Sequence, residues 1–299
     1  MNQIKNRLLI YIVIAVVAVV GAAFAITRNQ KINPSVPTPA QSHRSYSIKS
    51  QFRDLTYSPD KSTDYFFSIV DDRGSILKDF LITHTKIMHV IVVRTDLKYF
   101  QHLHPEFDEY TGKFALPSLT FPADGHYRIF ADFVPREGQK DPAGNPLPVT
   151  ISSEAVVVGF GYSRKPIGSE ERTKIFDDIE VALQTRGPLI SGVENMLMFA
   201  LSQGNKPVTN LEEYLGALGH SVLLREGTLD FIHTHPVEVK SQDGTVNFMV
   251  TFPQPGKYKV FTQFQKNGKI ITTDFVISVA QGQNTPLAKP AGMEHTRHP

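Results

Sequence analysis

The chain has 299 residues, no cysteine, and 31 basic against 29 acidic side chains. Its 41% hydrophobic and 20% charged content describes a globular protein with room for two modules of roughly 100 residues each. The near-neutral charge offers no footprint for nucleic acid. The missing cysteines exclude disulfides, a lipid-anchored cysteine, thiolate nucleophiles, zinc–thiolate sites and the two-histidine, one-cysteine site of blue-copper electron carriers.

Residues 1–26 read as a cytoplasmic N-terminus followed by a membrane anchor. Leu8 to Ile26 (LLIYIVIAVVAVVGAAFAI) is a nineteen-residue run without a charge, long enough to cross a bilayer as a helix. Lys5 and Arg7 precede it, which keeps the N-terminus in the cytoplasm and places the rest outside, as in a single-pass protein. Ala23-Phe24-Ala25 resembles a cleavage site, and cleavage there leaves a secreted or periplasmic protein; the length of the apolar run favours the uncleaved anchor. Residues 27–44 are rich in Pro, Ser and polar residues and read as a tether.

The composition of residues 45–162 predicts an all-β module. Its candidate strands are Tyr46 to Leu55, Asp64 to Val70, Lys86 to Arg94, Tyr99 to Pro105, Lys113 to Phe121, His126 to Val134 and Val149 to Val158, separated by turn signals. Residues 163–175 read as a polar linker. Residues 176–280 repeat the pattern, with strands at Ile179 to Gln184, Asn195 to Leu201, His220 to Arg225, Asp230 to Val237, Val246 to Phe252, Lys257 to Gln263 and Ile270 to Val279. Each set has the count of a small antiparallel β-sandwich. One stretch, Val208 to Leu218, has Leu211, Leu215 and Leu218 at helical spacing behind Asn210 and predicts a short helical turn. Residues 281–299 read as a disordered tail containing Met293, His295 and His298.

The two modules are copies. A shift of 131 residues maps His89, His102 and His104 onto His220, His233 and His235. It also maps Pro105 onto Pro236, Phe121 onto Phe252, Gly125 onto Gly256, Tyr127 onto Tyr258, Phe130 onto Phe261 and Phe133 onto Phe264. Pairing Arg94 with Tyr99 across the loop Thr95 to Lys98 sets His89 opposite His104, with His102 on the same face because strand side chains return every second residue. Three imidazoles then share one face in each module, within the span that closes around an ion. A slip of one residue destroys the arrangement. Neutral imidazoles without thiolate suit copper or zinc, so His89, His102, His104, His220, His233 and His235 are candidate metal ligands.

His43, His84 and His126 have no histidine counterpart under the shift and read as surface or loop residues, and Met88 maps onto Gly219. Arg94 and Arg225 match as solvated strand ends or ion pairs at the hairpin turn. The structural alternative for the six histidines is a strand end whose rings hydrogen-bond to loops, in a noncatalytic protein that binds another envelope protein. A hydrolytic metalloenzyme needs a base beside the metal, and no acidic residue recurs at a fixed position next to the histidines, which favours binding over catalysis. A dinuclear copper enzyme is the remaining option, and it requires the two histidine faces to meet.

The segments HVIVVRTDLKYFQHLHP and TFPADGHYRIFADFVP, with their second copies GHSVLLREGTLDFIHTHP and TFPQPGKYKVFTQFQKNGK, resemble a group of exported bacterial proteins with tandem Ig-like or cupredoxin-like sandwich modules. The group occurs beside heavy-metal and copper-handling systems. The resemblance implies that fold, the six histidines as ligands, and a setting that includes an envelope metal transporter or other envelope partner.

Overall fold

The computed structural model describes residues 45–50, 56–237 and 243–283. The anchor at Leu8 to Ile26, the tether, His43, and the Met293, His295 and His298 tail lie outside the described residues. Among the described residues there is no helix, and hence none long and apolar enough to cross a membrane.

Alternation of apolar and polar residues drives each half into two sheets. In the first half, Tyr46–Ser50, Thr63–Asp71, Lys113–Leu119 and Glu106–Asp108 form one sheet in that order. The second runs Thr56–Tyr57, Val149–Val157, Gly125–Pro135, His89–Arg94 and Phe100–Leu103, with Phe80–Leu81 also paired to Gly125–Pro135. The second half repeats this. One sheet is built on Thr173–Phe176, Ile179–Thr185, Glu194–Gln203 and Thr245–Thr251; the other runs Leu189–Ile190, Lys269–Ala280, Gly256–Lys266, His220–Arg225 and Phe231–Thr234. Pairing is antiparallel except at the short strands Thr56–Tyr57 and Leu189–Ile190.

Each pair of sheets closes on its own apolar core. Phe67, Phe114, Phe121, Tyr127 and Phe133 lie in the first, and Phe199, Phe248, Phe252, Tyr258 and Phe264 in the second. Tyr127 donates its hydroxyl to the Ala123 carbonyl at 2.9 Å, and Tyr258 donates to Gln254 at 2.7 Å, so the duplicated tyrosine ties down the same turn in both copies.

A third apolar cluster joins the two sandwiches: Ile91, Val93 and Phe130 from the first meet Val222, Leu224 and Phe261 from the second. Phe100 stacks on Phe261 with centroids 4.3 Å apart, and Phe130 stacks on Phe231 at 4.9 Å. The 131-residue shift exchanges these two pairs, so the copies face one another reciprocally. Ile91 and Val93 share a strand face with His89. The face that carries the histidines is therefore the face by which the sandwiches meet.

Arg94 and Arg225 make ion pairs at the hairpin turns. Arg94 is held by Asp96 through two contacts of 2.8 and 2.7 Å, with side chains only 6% and 0% exposed, and its guanidinium lies 4.6 Å over the Tyr99 ring. Arg225 and Asp230 approach to 3.4 Å and are partly exposed. Asp96→Ala strands a buried guanidinium and should cost about 3 kcal/mol or more, whereas Asp230→Ala should cost about 1 kcal/mol or less. Urea unfolding of the two variants checks this; equal losses would show that burial does not decide the strength of the pair.

The helical turn expected at Val208 to Leu218 does not form. Tyr214 and Ala217 bridge across a tight turn whose central residues, Leu215 and Gly216, have φ of 55° and 75°, which no right-handed helix accommodates. The leucine spacing instead reflects isolated inward-facing residues: Leu218 is buried and Leu211 packs against the second core. The first half makes the same turn. Thr83 bridges Lys86 around His84 and Thr85, at φ 50° and 65°. Positive φ at a β-branched threonine is uncommon and strained, and the turn holds His84 out from its own sandwich.

Candidate metal centre

The hairpin register follows the loop-length reading. Val90 pairs with Leu103, Ile91 with His102 and Val93 with Phe100, and the Arg94 amide donates to the Tyr99 carbonyl at 3.0 Å. The second copy is identical, with Ser221 opposite Thr234 and Val222 opposite His233. In both copies the His-x-His pair and the histidine at the start of the neighbouring strand occupy one face.

Because these faces meet, the six histidines and His84 converge on one buried cluster. His89, His102 and His104 bring one ring nitrogen each within 4.8 Å of one another. Across the boundary, His220 and His235 do the same with His84, whose ring stacks on His235 with centroids 3.4 Å apart. His233 sits between the groups, with centroids 4.5 Å from His235, 5.3 Å from His89 and 5.9 Å from His102. His126 is exposed and lies apart, against Tyr162.

Hydrogen bonds fix which nitrogens point inward. His89 Nε2 donates to the Thr83 carbonyl at 3.2 Å, and His220 Nε2 donates to the Tyr214 carbonyl at 2.8 Å. Each leaves its Nδ1 lone pair facing the cluster. The central histidines are held from the opposite sandwich: His102 Nδ1 lies 2.9 Å from Gln263 Oε1, and His233 Nδ1 donates to Asp132 Oδ2 at 2.7 Å. Asp132 and Gln263 correspond under the shift. Asp132 Oδ1 also accepts the Thr150 hydroxyl at 2.9 Å, so both of its oxygens are engaged.

The inward nitrogens include His104 Nε2, His220 Nδ1, His233 Nε2 and His235 Nε2, all buried without a hydrogen-bond partner. Leaving such groups unmade costs about 1–3 kcal/mol each, an expense that a bound cation removes. His89 Nδ1 and His102 Nε2 stand 3.0 Å apart. Two nitrogens at that separation subtend about 90° at an ion with bonds of roughly 2.0–2.1 Å, a workable bite for a metal ion. The donor set therefore fits a late first-row metal.

Electrostatics favour the ligand form of the rings. Burial first, and then neighbouring imidazoles, hold His89 down to about 4, and His104 and His220 to about 3. The same causes lower His84, His102 and His235. At neutral pH these rings are uncharged, so a metal need not compete with an imidazolium. A cleft of about 540 Å³ reaches the cluster from solvent, lined in part by His84, His89, Asp132, Thr150, His233 and His235.

Two contributors escape the sequence reading. His84 is on a loop, as its lack of a counterpart suggests, but the loop crosses to the other sandwich; its counterpart Leu215 has no ligand atom. Asp132 is the unduplicated acid, and only the facing of the two modules brings it to His233.

Fold and site together define an all-β, sandwich-like protein of two copies whose buried interface carries histidine groups able to hold metal. The model for a domain of unknown function (DUF8832) matches residues 43–143 and again 173–281, so the chain belongs to that family and carries its domain twice. No curated protein matches the chain. Among solved structures it is similar to native E. coli alpha-2-macroglobulin, at 11% identity and TM-score 0.26 over 81% of this chain. It spans 14% of that protein. It is also similar to InvD of Yersinia pseudotuberculosis, at 12% identity and TM-score 0.25, covering 83% of this chain and 61% of that one. A chimeric titin Z1Z2 gives 14% identity and TM-score 0.19 over 79% and 96% of the two chains. Likenesses this distant carry no argument about function.

Proposed function

We propose that this chain is an exported, membrane-anchored metal-binding protein that takes up copper or zinc in two adjacent histidine sites and buffers or delivers it. The observation that carries this reading is the set of buried, inward-facing ring nitrogens without partners: His104 Nε2, His220 Nδ1, His233 Nε2 and His235 Nε2. A purely structural histidine cluster spends its polar atoms on the protein; this one holds them open.

His89, His102 and His104 make one site, and His84, His220 and His235 make the other, with His233 between them. The uncharged run Leu8 to Ile26 behind Lys5 and Arg7 supports the anchor and the outward placement, and an envelope metal transporter is the partner that such a setting suggests. The duplicated tyrosine-to-turn hydrogen bond is of the kind found at a corner of Ig-like sandwiches and favours that class for the modules. Binding rather than catalysis is favoured because Asp132, the acid lining the cleft, has both oxygens engaged and is not free to act as a general base.

Metal analysis of the full-length chain, purified in detergent, stripped with chelator and dialysed against zinc or copper(II), tests the reading. About two equivalents should bind, falling to one in His102→Ala/His104→Ala and to none when His233→Ala/His235→Ala is added. A folded chain that retains no metal would overturn it.

A further inference from the structure

We propose that the two histidine groups are unequal and fill in a fixed order, the group of His84, His220 and His235, with His233 beside it, first. The unequal pair is Asp132 and Gln263, which occupy the same position in the two copies and hold the central histidine of the opposite copy. This inference rests on the metal-binding reading above and adds to it which site is loaded and why.

Counting protons separates the two groups. Asp132 is a carboxylate that can only accept, so His233 presents Nδ1–H to it, and the neutral ring then keeps Nε2 as a lone pair. His220 likewise spends its Nε2–H on the Tyr214 carbonyl and keeps Nδ1 bare. Both nitrogens are buried without a hydrogen-bond partner, as is His235 Nε2, and the His220 and His233 rings stand 5.8 Å apart. No rearrangement of neutral hydrogen bonds satisfies this group. A cation does.

The opposite group has an escape. Gln263 is an amide, which can present either its oxygen or its NH2 to His102, while the Thr272 hydroxyl on its other side, 3.0 Å away, both donates and accepts. With the NH2 toward His102, the ring carries its proton on Nε2 and donates it to His89 Nδ1, 3.0 Å away; His89 in turn donates Nε2–H to Thr83. The chain from Gln263 through His102 and His89 to Thr83 is then complete without metal, and only His104 Nε2 of this group is left without a partner. The rings are correspondingly closer, at 5.2 Å. A metal ion entering this group must break that hydrogen bond and turn the amide; one entering the other group finds its ligands already open.

Three further differences act in the same direction. A carboxylate behind a ligating histidine raises its basicity and fixes its tautomer more strongly than an amide. His84 completes the group with His220 and His235, whereas its counterpart Leu215 offers no nitrogen. The cleft is lined by His84, His233 and His235 and, from the other group, by His89 alone, so an incoming ion meets more of this group on its way in.

The test has two readouts on the full-length chain. In the first, nitrogen-15 imidazole NMR of the metal-free protein should show His233 protonated on Nδ1 and His102 on Nε2; the same tautomer at both would overturn the inference. In the second, calorimetric titration with zinc should give two steps. His233→Ala should remove the tighter step and His102→Ala the weaker one. Asp132→Asn should weaken the first step by about 10–100-fold, and Gln263→Glu should strengthen the second by a comparable factor. Two steps of equal affinity, or loss of the tighter step with His102→Ala, would overturn the order while leaving metal binding intact. Absence of any zinc binding to the wild-type chain would overturn both.

Discussion

Zinc added to the metal-free chain should raise its stability by about 4 kcal/mol when the free ion exceeds its dissociation constant about a thousandfold, because an ion that binds only the folded state stabilises it by mass action. For a chain of this size that corresponds to a rise of roughly ten degrees in unfolding temperature. The effect should be large because the ligands come from both sandwiches. His84 reaches from the first copy to His220 and His235 of the second, while Asp132 and Gln263 each hold a histidine of the other copy. Metal should therefore also clamp the Phe100–Phe261 and Phe130–Phe231 stacks. Differential scanning calorimetry with zinc and with chelator measures the shift, and superimposable melts would sink the prediction. Rings that are already neutral at pH 7 give a second expectation: uptake should release few protons, so the calorimetric heat should be nearly independent of buffer ionisation enthalpy.

What the sequence makes legible here is what repeats locally. Strand periodicity and the four-residue loop between Arg94 and Tyr99 are enough to set the hairpin register, because a short loop leaves little freedom and the buried face penalises a slip. What it conceals is whatever depends on the two copies facing each other. No spacing within a module says that Ile91, Val93 and Phe130 are an interface rather than a solvent face, since either copy alone leaves them outside its own core. His84 and Asp132 are hidden for the same reason and one more: both differ between the copies, so a search for duplicated chemistry passes over them. The helix expected at Val208 to Leu218 fails because leucines spaced by four and three residues satisfy a helical template even where Leu211 and Leu218 face inward from an irregular loop and Leu215 sits at its turn. Gly216, and the alignment of that loop with His84 and Thr85, is the signal for a turn.

Acid should unfold the metal-free protein well before its carboxylates are neutralised. Burial holds His89 down to about 4 and His220 to about 3, whereas in the unfolded chain each titrates near 6.5. As pH falls below 6.5 the unfolded state takes up protons that the folded state refuses. Stability is therefore full above that value and declines as pH drops toward 4. His89 alone contributes on the order of 3 kcal/mol to the decline, and His104 and His220 shift in the same direction. Bound metal should lift the whole curve without flattening it, because the ion binds the folded rings while the unfolded chain still takes up the same protons. Urea midpoints at pH 8, 6.5, 5.5 and 4.5 in chelator measure this. Replacing His89 and His220 with Gln should flatten the slope between 6.5 and 5, a window in which unperturbed Asp and Glu remain charged and contribute little. A metal-free protein equally stable at pH 8 and 5 would show that the imidazoles accept protons in the folded state, and that the cluster is open enough to hydrate them.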